Sequence, residues 1–253
     1  VTLFTRQVRQ IQPTLDGVAY YARIQPALTQ LIQASHSLRQ QKNDAVWISM
    51  PPSLAAKWFS HRMADFLTSY PDITLHLSSS TNVVDFERDQ VDLAIRYFDG
   101  QTDGLESTQL FPGKVGAYSS PEYGKHLTHL DQLLDATLIR NSSHAYWDEW
   151  LNKFTPFTPE QIQSIKSLHM NETSLAIETA RQCQGIILTM PELIEQEMAA
   201  GTLIQLFEHH ISPESGYYIV HQNMTALRPP VQILKNWLIA HSKPINYQSK
   251  PPQ

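Results

Sequence analysis

The stretch from Asp44 to Gly100 changes its hydrophobic period at regular intervals, and this alternation limits the folds open to the chain. Short runs with the spacing of a strand are separated by segments with the spacing of a helix. The order is strand Ala45–Ile48, helix 54–70, strand Ile73–Leu77, helix 83–88 and strand Val91–Arg96. Strands that alternate with helices predict a largely parallel sheet with right-handed crossovers. We therefore predict an α/β fold.

Polar side chains follow the predicted strands at the points where those strands end. Sheets of this kind place ligands outside the carboxyl ends of their strands. Each residue alone is more simply a helix cap or a turn residue, but their shared placement predicts a binding cleft. Ser53 also begins a helix, where free backbone N–H groups hold anions. The candidate cleft residues are Ser53, Ser80, Thr81, Tyr97, Asp99, Asn141, Ser142, Asn171 and Thr173.

A second alternation of strands and helices follows residue 120 and predicts a second unit of the same class. Within it, Asn141 and Ser142 are expected to cap a helix over 146–154. A further helix is predicted from Thr173 to Cys183, with Gly185 as its C-terminal cap. Cys183 therefore falls inside a helix, and we expect a buried, unreactive thiol.

One long helix is predicted before the first strand, from Thr14 to Gln41. Thr14 is a good N-cap, and apolar residues recur on one stripe at a spacing near 3.5. Pro26 lies inside this helix and is expected to kink it. No second stripe follows at once, so we expect the helix to pair with a copy of itself, although a packed core helix would show the same pattern. Upstream, Arg6 and Arg9 are either phosphate contacts or simply exposed arginines.

Composition excludes several classes of protein. The chain has 253 residues, a net charge of −5 and a single cysteine, so it is not a basic nucleic-acid coat and forms no internal disulfide. The sequence contains no run of 18 apolar residues, so no membrane span is predicted. No nucleophile elbow, phosphate loop or dinucleotide motif is present, and the eleven histidines form no chelating pattern. We expect no enzyme activity, no cofactor, no metal, and a cytoplasmic location.

Three segments carry a resemblance to a known family: Pro51–Trp58, Tyr70–Ile73 and Val91–Tyr97. In order and spacing they resemble the effector-binding domain of LysR-type transcriptional regulators, in the branch of the glycine-cleavage activator and the β-lactamase regulator. The resemblance implies two Rossmann-like subdomains in a periplasmic-binding-protein-like (type 2) arrangement after a long linker helix. It also implies an unknown small-molecule effector between the subdomains, and a pocket that is either narrowed or filled by Phe98, where this branch usually has Gly.

The resemblance further implies a division of the chain and its partners. Residues 1–13 would be the wing of a winged helix-turn-helix, 14–42 the linker and dimerisation helix, and 241–253 a tail. The effector-binding domain, 44–240, would comprise subdomain I (44–120 and 212–240) and subdomain II (121–211). The helix-turn-helix that precedes the wing in the family is not in this sequence, and the missing initiating Met suggests a truncated or processed chain.

In the family, Arg6 and Arg9 would contact phosphates, and the parent protein would bind operator DNA through the helix-turn-helix as a homodimer or homotetramer. Effector binding would shift the oligomer conformation and so control transcription. A two-lobed solute-binding protein is the alternative, because it shares the same plan. That class needs neither the arginine-bearing wing nor the long helix.

Overall fold

The computed structural model describes residues 1–7, 10–40, 44–142, 145–223 and 226–242. The strands are β1 Phe4–Gln7, β2 Gln10–Pro13, β3 Ala45–Met50, β4 Thr74–Ser79, β5 Leu93–Phe98, β6 Leu105–Phe111, β7 Val115–Ser119, β8 Thr137–Asn141, β9 Lys166–Met170, β10 Ile186–Thr189, β11 Ile204–Ile211 and β12 Gly216–Gln222. The helices are α1 Leu15–Gln40, α2 Pro52–Leu54, α3 Ser60–Ser69, α4 Pro121–Gly124, α5 Trp147–Phe154, α6 Pro159–Ser164, α7 Thr173–Arg181, α8 Glu195–Ala199 and α9 Pro229–His241. A π-helical turn, Ala55–Phe59, joins α2 to α3, and 3-10 turns cover Leu130–Asp135 and Pro191–Leu193.

An antiparallel hairpin of β1 and β2 leads directly into α1. Thr14 caps the helix as predicted, because its Oγ1 accepts a hydrogen bond from the backbone N–H of Gly17 at 3.0 Å. A Cβ on Gly17 would lie 2.1 Å from the carbonyl oxygen of Leu3, so the hairpin and the helix meet where only glycine fits. Exposed apolar side chains mark the described part of α1: Leu15, Val18, Tyr20, Tyr21 and Leu28.

The first sheet has the strand order β4-β3-β5-β12-β6. Strands β3, β4 and β5 run parallel, as the alternation predicts, whereas β12 is antiparallel to both of its neighbours. The sheet is therefore mixed rather than largely parallel. Its core is aromatic: Trp58 and Phe66 are fully buried, and Trp237 of α9 meets the ring of Phe66 at 5.2 Å. We call this sheet and its helices the first half.

The segment 83–88 is not helical, contrary to the sequence prediction. It forms turns in which carboxylates compete for the backbone N–H groups. The N–H of Asp85 donates to Oδ2 of Asp89 at 2.9 Å, and that of Glu87 donates to Oδ1 of Asp85 at 3.1 Å. These local bonds replace the bonds that a helix would need.

The second sheet has the strand order β11-β7-β10-β8-β9, and with its helices it forms the second half. Strand β7 pairs with β10 and β11, so it belongs to this sheet, although the sequence division at residue 120 places it in the first half. A buried apolar strand gives no local sign of which sheet it joins. The partners of β7 lie far away in sequence, so only the tertiary structure shows the assignment.

The chain crosses between the halves twice, at 112–114 and at 212–215. The two crossings touch: a Cβ on Gly113 would lie 2.0 Å from the carbonyl oxygen of Ser215. Glycine at this position therefore allows the two segments to run side by side. We call this pair of segments the hinge.

Helix α7 ends earlier than predicted, at Arg181, and Cys183 lies outside it. Cys183 adopts a left-handed backbone conformation with a φ of 59°. The residue is exposed, so the prediction of a buried thiol is wrong. The chain reverses here to enter β10, and Ser120 Oγ donates to the sulfur at 3.1 Å. Gly185 is not the cap; a Cβ there would lie 2.5 Å from the carbonyl oxygen of Thr137.

No helix in the described ranges is both long enough and apolar enough to cross a membrane.

Candidate functional site

A cavity of about 290 Å³ lies between the two halves, and we call it the cleft. Tyr97 and Tyr217 reach it from the first sheet, and the other side chains come from the second half. Its lining residues are Tyr97, Val115, Asn141, Tyr146, Thr173, Leu188, Thr189, Met190, Leu193 and Tyr217. Apolar walls with a few hydroxyl and amide groups are typical of small-molecule sites.

Two tyrosines join the halves across the cleft. The hydroxyls of Tyr97 and Tyr146 lie 2.7 Å apart and share a hydrogen bond. Burial raises the pKa of Tyr97, and so does its bond to Tyr146; burial likewise raises the pKa of Tyr146. Burial also raises the pKa of Tyr217 to about 12. All three phenols therefore stay protonated and uncharged at neutral pH, and each can donate or accept a hydrogen bond.

A buried amide–hydroxyl pair forms part of the opposite wall. Asn141 Nδ2 donates to Thr173 Oγ1 at 2.7 Å, and both residues are less than a tenth exposed. The sequence predicts that Asn141 caps α5, but it does not. The N-cap residue of that helix is Tyr146, whose side chain makes no capping hydrogen bond. The α7 helix begins beside this pair, and Glu172 caps it by accepting from the N–H of Ser174.

Ser53 is buried next to the cleft rather than on its lining. Its side chain is hydrogen-bonded to Tyr217, and it is 5% exposed. Pro51 and Pro52 occupy the N-cap and first position of the helix, so two of the N–H groups expected there do not exist. The start of this helix is therefore a poorer anion site than the sequence predicts.

The other predicted cleft residues lie elsewhere. Phe98 points away from the cleft, and its ring packs on Tyr218 with centroids 5.2 Å apart, so it does not narrow the pocket. Its neighbour Tyr97 takes that place, because successive strand residues face opposite sides. The remaining ones are absent from the described cleft lining and make local contacts or lie exposed: Ser80, Thr81, Asp99, Ser142 and Asn171.

Sequence reasoning identified Tyr97, Asn141 and Thr173 but missed most of the lining. Thr189 ends strand β10 and Met190 follows it directly, so the strand-end argument applies to both. Tyr146 and Tyr217 gave no such signal, because neither directly follows a strand in the chain. Their position depends on how the two halves meet.

Two ion pairs also join the halves, away from the cleft lining. Lys57 Nζ lies 2.7 Å from Glu197, and Arg62 lies 2.5 Å from Glu195. All four side chains are less than a fifth exposed. The cations lie on the π-turn and α3, and both carboxylates lie on α8. We call these pairs the interhalf ion pairs.

Glu192 is a carboxyl beside the cleft, between the lining residues Met190 and Leu193. Its Oε2 is buried and has no hydrogen-bond partner among the described residues. Burial raises the pKa of this carboxyl to about 7. The group is therefore partly protonated at neutral pH.

The predicted phosphate contacts are only partly described. Arg6 lies in β1, paired with Ile11, and Arg9 falls outside the described residues. Within the described ranges, no group of three histidine, cysteine or carboxylate side chains is placed to hold a metal. His209 and His210 are neighbours in β11.

Comparison with known proteins gives a consistent picture. The profile of the LysR substrate binding domain matches residues 39–243. The transcriptional activator AmpR of Providencia stuartii is 28% identical over 245 residues, which cover 94% of this chain and 80% of AmpR. The glycine cleavage system transcriptional activator of Escherichia coli K12 is 24% identical over 242 residues, 94% of this chain and 78% of that protein.

Among solved structures, the effector domain of AmpR from Pseudomonas aeruginosa superposes with a TM-score of 0.67 at 23% identity, covering 78% of this chain and 95% of that domain. This likeness confirms the predicted two-lobed α/β fold.

Proposed function

Because this chain belongs to the LysR family of transcriptional regulators, we propose that its cleft binds a small-molecule effector and that binding changes how the two halves sit. The chain contains the effector-binding domain of such a regulator. Its relatives are transcriptional activators and regulators, which favours this function over that of a solute-binding protein or an enzyme.

The observation that carries the proposal is the position of the cleft between two halves that the hinge connects. A ligand there contacts Tyr97 and Tyr217 on one side and Thr173 on the other. It therefore interacts differently with a closed and an open arrangement, and this difference in affinity is what shifts a conformational equilibrium. The hydroxyl bridge between Tyr97 and Tyr146 is the contact that a ligand would replace or reinforce.

The output of this shift is a change in oligomer arrangement. Exposed apolar residues on α1, such as Val18, Tyr21 and Leu28, support pairing with a second copy, since such residues gain by leaving water. The hairpin before α1 carries Arg6 and would serve as the wing that contacts operator phosphates. A change in the relative arrangement of the two halves would then alter the spacing between the DNA-binding domains of the dimer or tetramer.

We propose the division of the chain on the same basis. Residues 1–13 form the wing, α1 forms the linker, and the effector-binding domain follows from residue 44. The pairing of the strands favours a boundary between the subdomains at the hinge rather than at residue 120.

A thermal-shift screen tests the effector proposal. The panel holds amino acids, small carboxylates, purines, muropeptide fragments and small aromatic amides. A ligand at one hundred times its Kd adds about 2.7 kcal/mol to the free energy of unfolding, which is readily measured. We expect at least one hit, and we expect Thr173→Val to reduce it.

The matched control is Thr68→Val, the same substitution on an exposed helix face in α3. This control should keep the hit at full size. A panel without hits, or hits that Thr173→Val and Thr68→Val affect alike, would contradict a ligand site in the cleft.

A further inference from the structure

The cleft combines polar and apolar side chains, but all of its described lining is uncharged. Its polar groups are three phenols, one amide and two threonine hydroxyls, each able to form neutral hydrogen bonds. Val115, Leu188, Met190 and Leu193 supply the apolar surface. A charged ligand group would find no ion partner on these walls, and an unpaired buried charge is costly.

Carboxyl groups behind the lining influence two of its tyrosines. After burial, the charges of Glu172 and Glu192 add to the rise in the pKa of Tyr217. The charge of Glu149 likewise contributes to the raised pKa of Tyr146. Three carboxyl groups of the second half therefore act on one or the other of these phenols, and each of them, when ionised, disfavours a further negative charge nearby.

The cations next to lining residues along the chain are Arg96, Lys114 and Arg140. Arg96 donates to the carbonyl oxygens of Ser49 and Asn82, and Arg140 is paired with Asp148. Lys57 and Arg62 are paired with Glu197 and Glu195 in the interhalf ion pairs. Lys114 is exposed, and its charge acts on Glu192 by lowering the pKa of that carboxyl. None of these cationic side chains belongs to the described lining. Among the described residues, the walls of the cleft therefore hold no arginine or lysine of the kind that usually recognises a carboxylate or phosphate.

The volume limits the size of the occupant. The empty space of about 290 Å³ includes open solvent, so it sets an upper bound on the occupant. A single ring with one polar substituent stays below this bound, and its edges can meet the phenol hydroxyls and the Asn141–Thr173 pair. A nucleotide or a long peptide would require the halves to separate further.

We propose that the effector of this cleft is a ring-sized compound without negative charge, either neutral or protonated. The inference rests on the proposed function and specifies its ligand class. A neutral or cationic group keeps its hydrogen bonds with the phenols, and the carboxylates behind the lining attract a cation. An anion of the same shape meets the same described side chains without a cationic partner among them.

The test uses matched probes that differ only in charge. Benzoate, benzamide and benzamidine share one shape and carry a negative, zero and positive charge, and the nicotinate and indole-3-carboxylate series provide the same comparison. Saturation-transfer NMR on the full 253-residue chain at neutral pH detects weak binding. We expect amides or amidines to bind and the matching acids to bind at least about tenfold more weakly, because a partnerless charge is costly to bury.

Variants assign the binding to the cleft. Tyr146→Phe removes one hydroxyl from the lining, whereas Tyr20→Phe makes the same change on the exposed surface of α1. Only the first should weaken the bound amides or amidines, and circular dichroism checks that both variants fold.

The outcomes separate the two proposals. Acids that bind as tightly as their amides and amidines, in a manner sensitive to Tyr146→Phe, overturn the ligand class and leave the proposed function intact. Binding that Tyr146→Phe does not affect places the site elsewhere. If none of the nine probes binds, and the thermal-shift panel gives no hit, both proposals fail.

Discussion

At the scale of single residues, one hydrogen bond between the hydroxyls of Tyr97 and Tyr146 links the two halves. Removing either hydroxyl takes this partner away from the other hydroxyl, which is partly buried. We expect Tyr97→Phe and Tyr146→Phe each to lower the free energy of unfolding by about 1 kcal/mol, a usual value for one hydrogen bond. The double variant should cost less than the sum, which a double-mutant cycle by urea denaturation measures. Strict additivity would show that the bridge does not form in solution.

Glu192 should give the protein a measurable pH dependence. Its carboxyl has a pKa of about 7 in the folded chain, above the ordinary value of 4.5, so the folded state holds the proton more tightly. The free energy of unfolding therefore falls as pH rises from about 4.5 to about 7, through this group alone. Glu192→Gln removes this slope.

The expected gain for Glu192→Gln at pH 8 is roughly 2 kcal/mol, after a discount for the exposed part of the side chain. At pH 4 the two proteins should be nearly equal. Urea denaturation of both proteins across this range measures the difference, with Glu208→Gln at an exposed position as the control. Parallel pH profiles for Glu192→Gln and the parent would refute a buried carboxyl with a raised pKa.

At the scale of elements, the hinge depends on Gly113. An added methyl would lie 2.0 Å from the carbonyl oxygen of Ser215, which is backbone and cannot move aside like a flexible side chain. We expect Gly113→Ala to destabilise the chain by about 2 kcal/mol or more through overpacking. Gly104→Ala is the comparison, because its methyl meets nothing within 4 Å and costs only the strain of its positive φ, about 1 kcal/mol. An equal cost at both positions would mean that the crossings are not in contact.

The elements also show what sequence reasoning reaches and where it stops. Strands β3, β4 and β5 were predicted because their alternation is local, and Thr14 was recognised as a cap from its own chemistry. The turn at 83–88 was missed because Asp85 and Asp89 compete for the backbone in a way that hydrophobic period does not register. Most of the cleft was missed for another reason: Tyr146 and Tyr97 meet only once the halves are packed, and no local pattern encodes that contact.

At the scale of the whole molecule, the interhalf ion pairs oppose opening of the cleft. Reversing one charge, as in Lys57→Glu, places two carboxylates together and should favour separation of the halves by about 1 kcal/mol. The double variant Lys57→Glu with Glu197→Lys restores an opposite pair. Small-angle scattering should show a larger radius of gyration for the single variant and recovery in the double. Identical scattering from all three proteins would show that these pairs do not control the arrangement.

Association is the second property of the whole molecule. The exposed apolar residues of α1 lead us to expect a dimer or larger species in sedimentation at tens of micromolar. Replacing Val18, Tyr21 and Leu28 together with serine should shift the chain toward monomer. Arg23→Ser, on another face of the same helix, should leave the assembly unchanged. A parent chain that sediments as a monomer would refute pairing through α1.

The position of β12 has a consequence for the order in which the protein folds during synthesis. This strand lies between β5 and β6, yet it is made after the entire second half. Until it leaves the ribosome, β5 and β6 each lack their shared partner, and the first sheet remains divided into two parts. The second half has all its strands earlier and is able to form first. Completion of the first sheet is therefore a late, long-range step, of the kind that slows folding and leaves strand edges open to chaperones or aggregation.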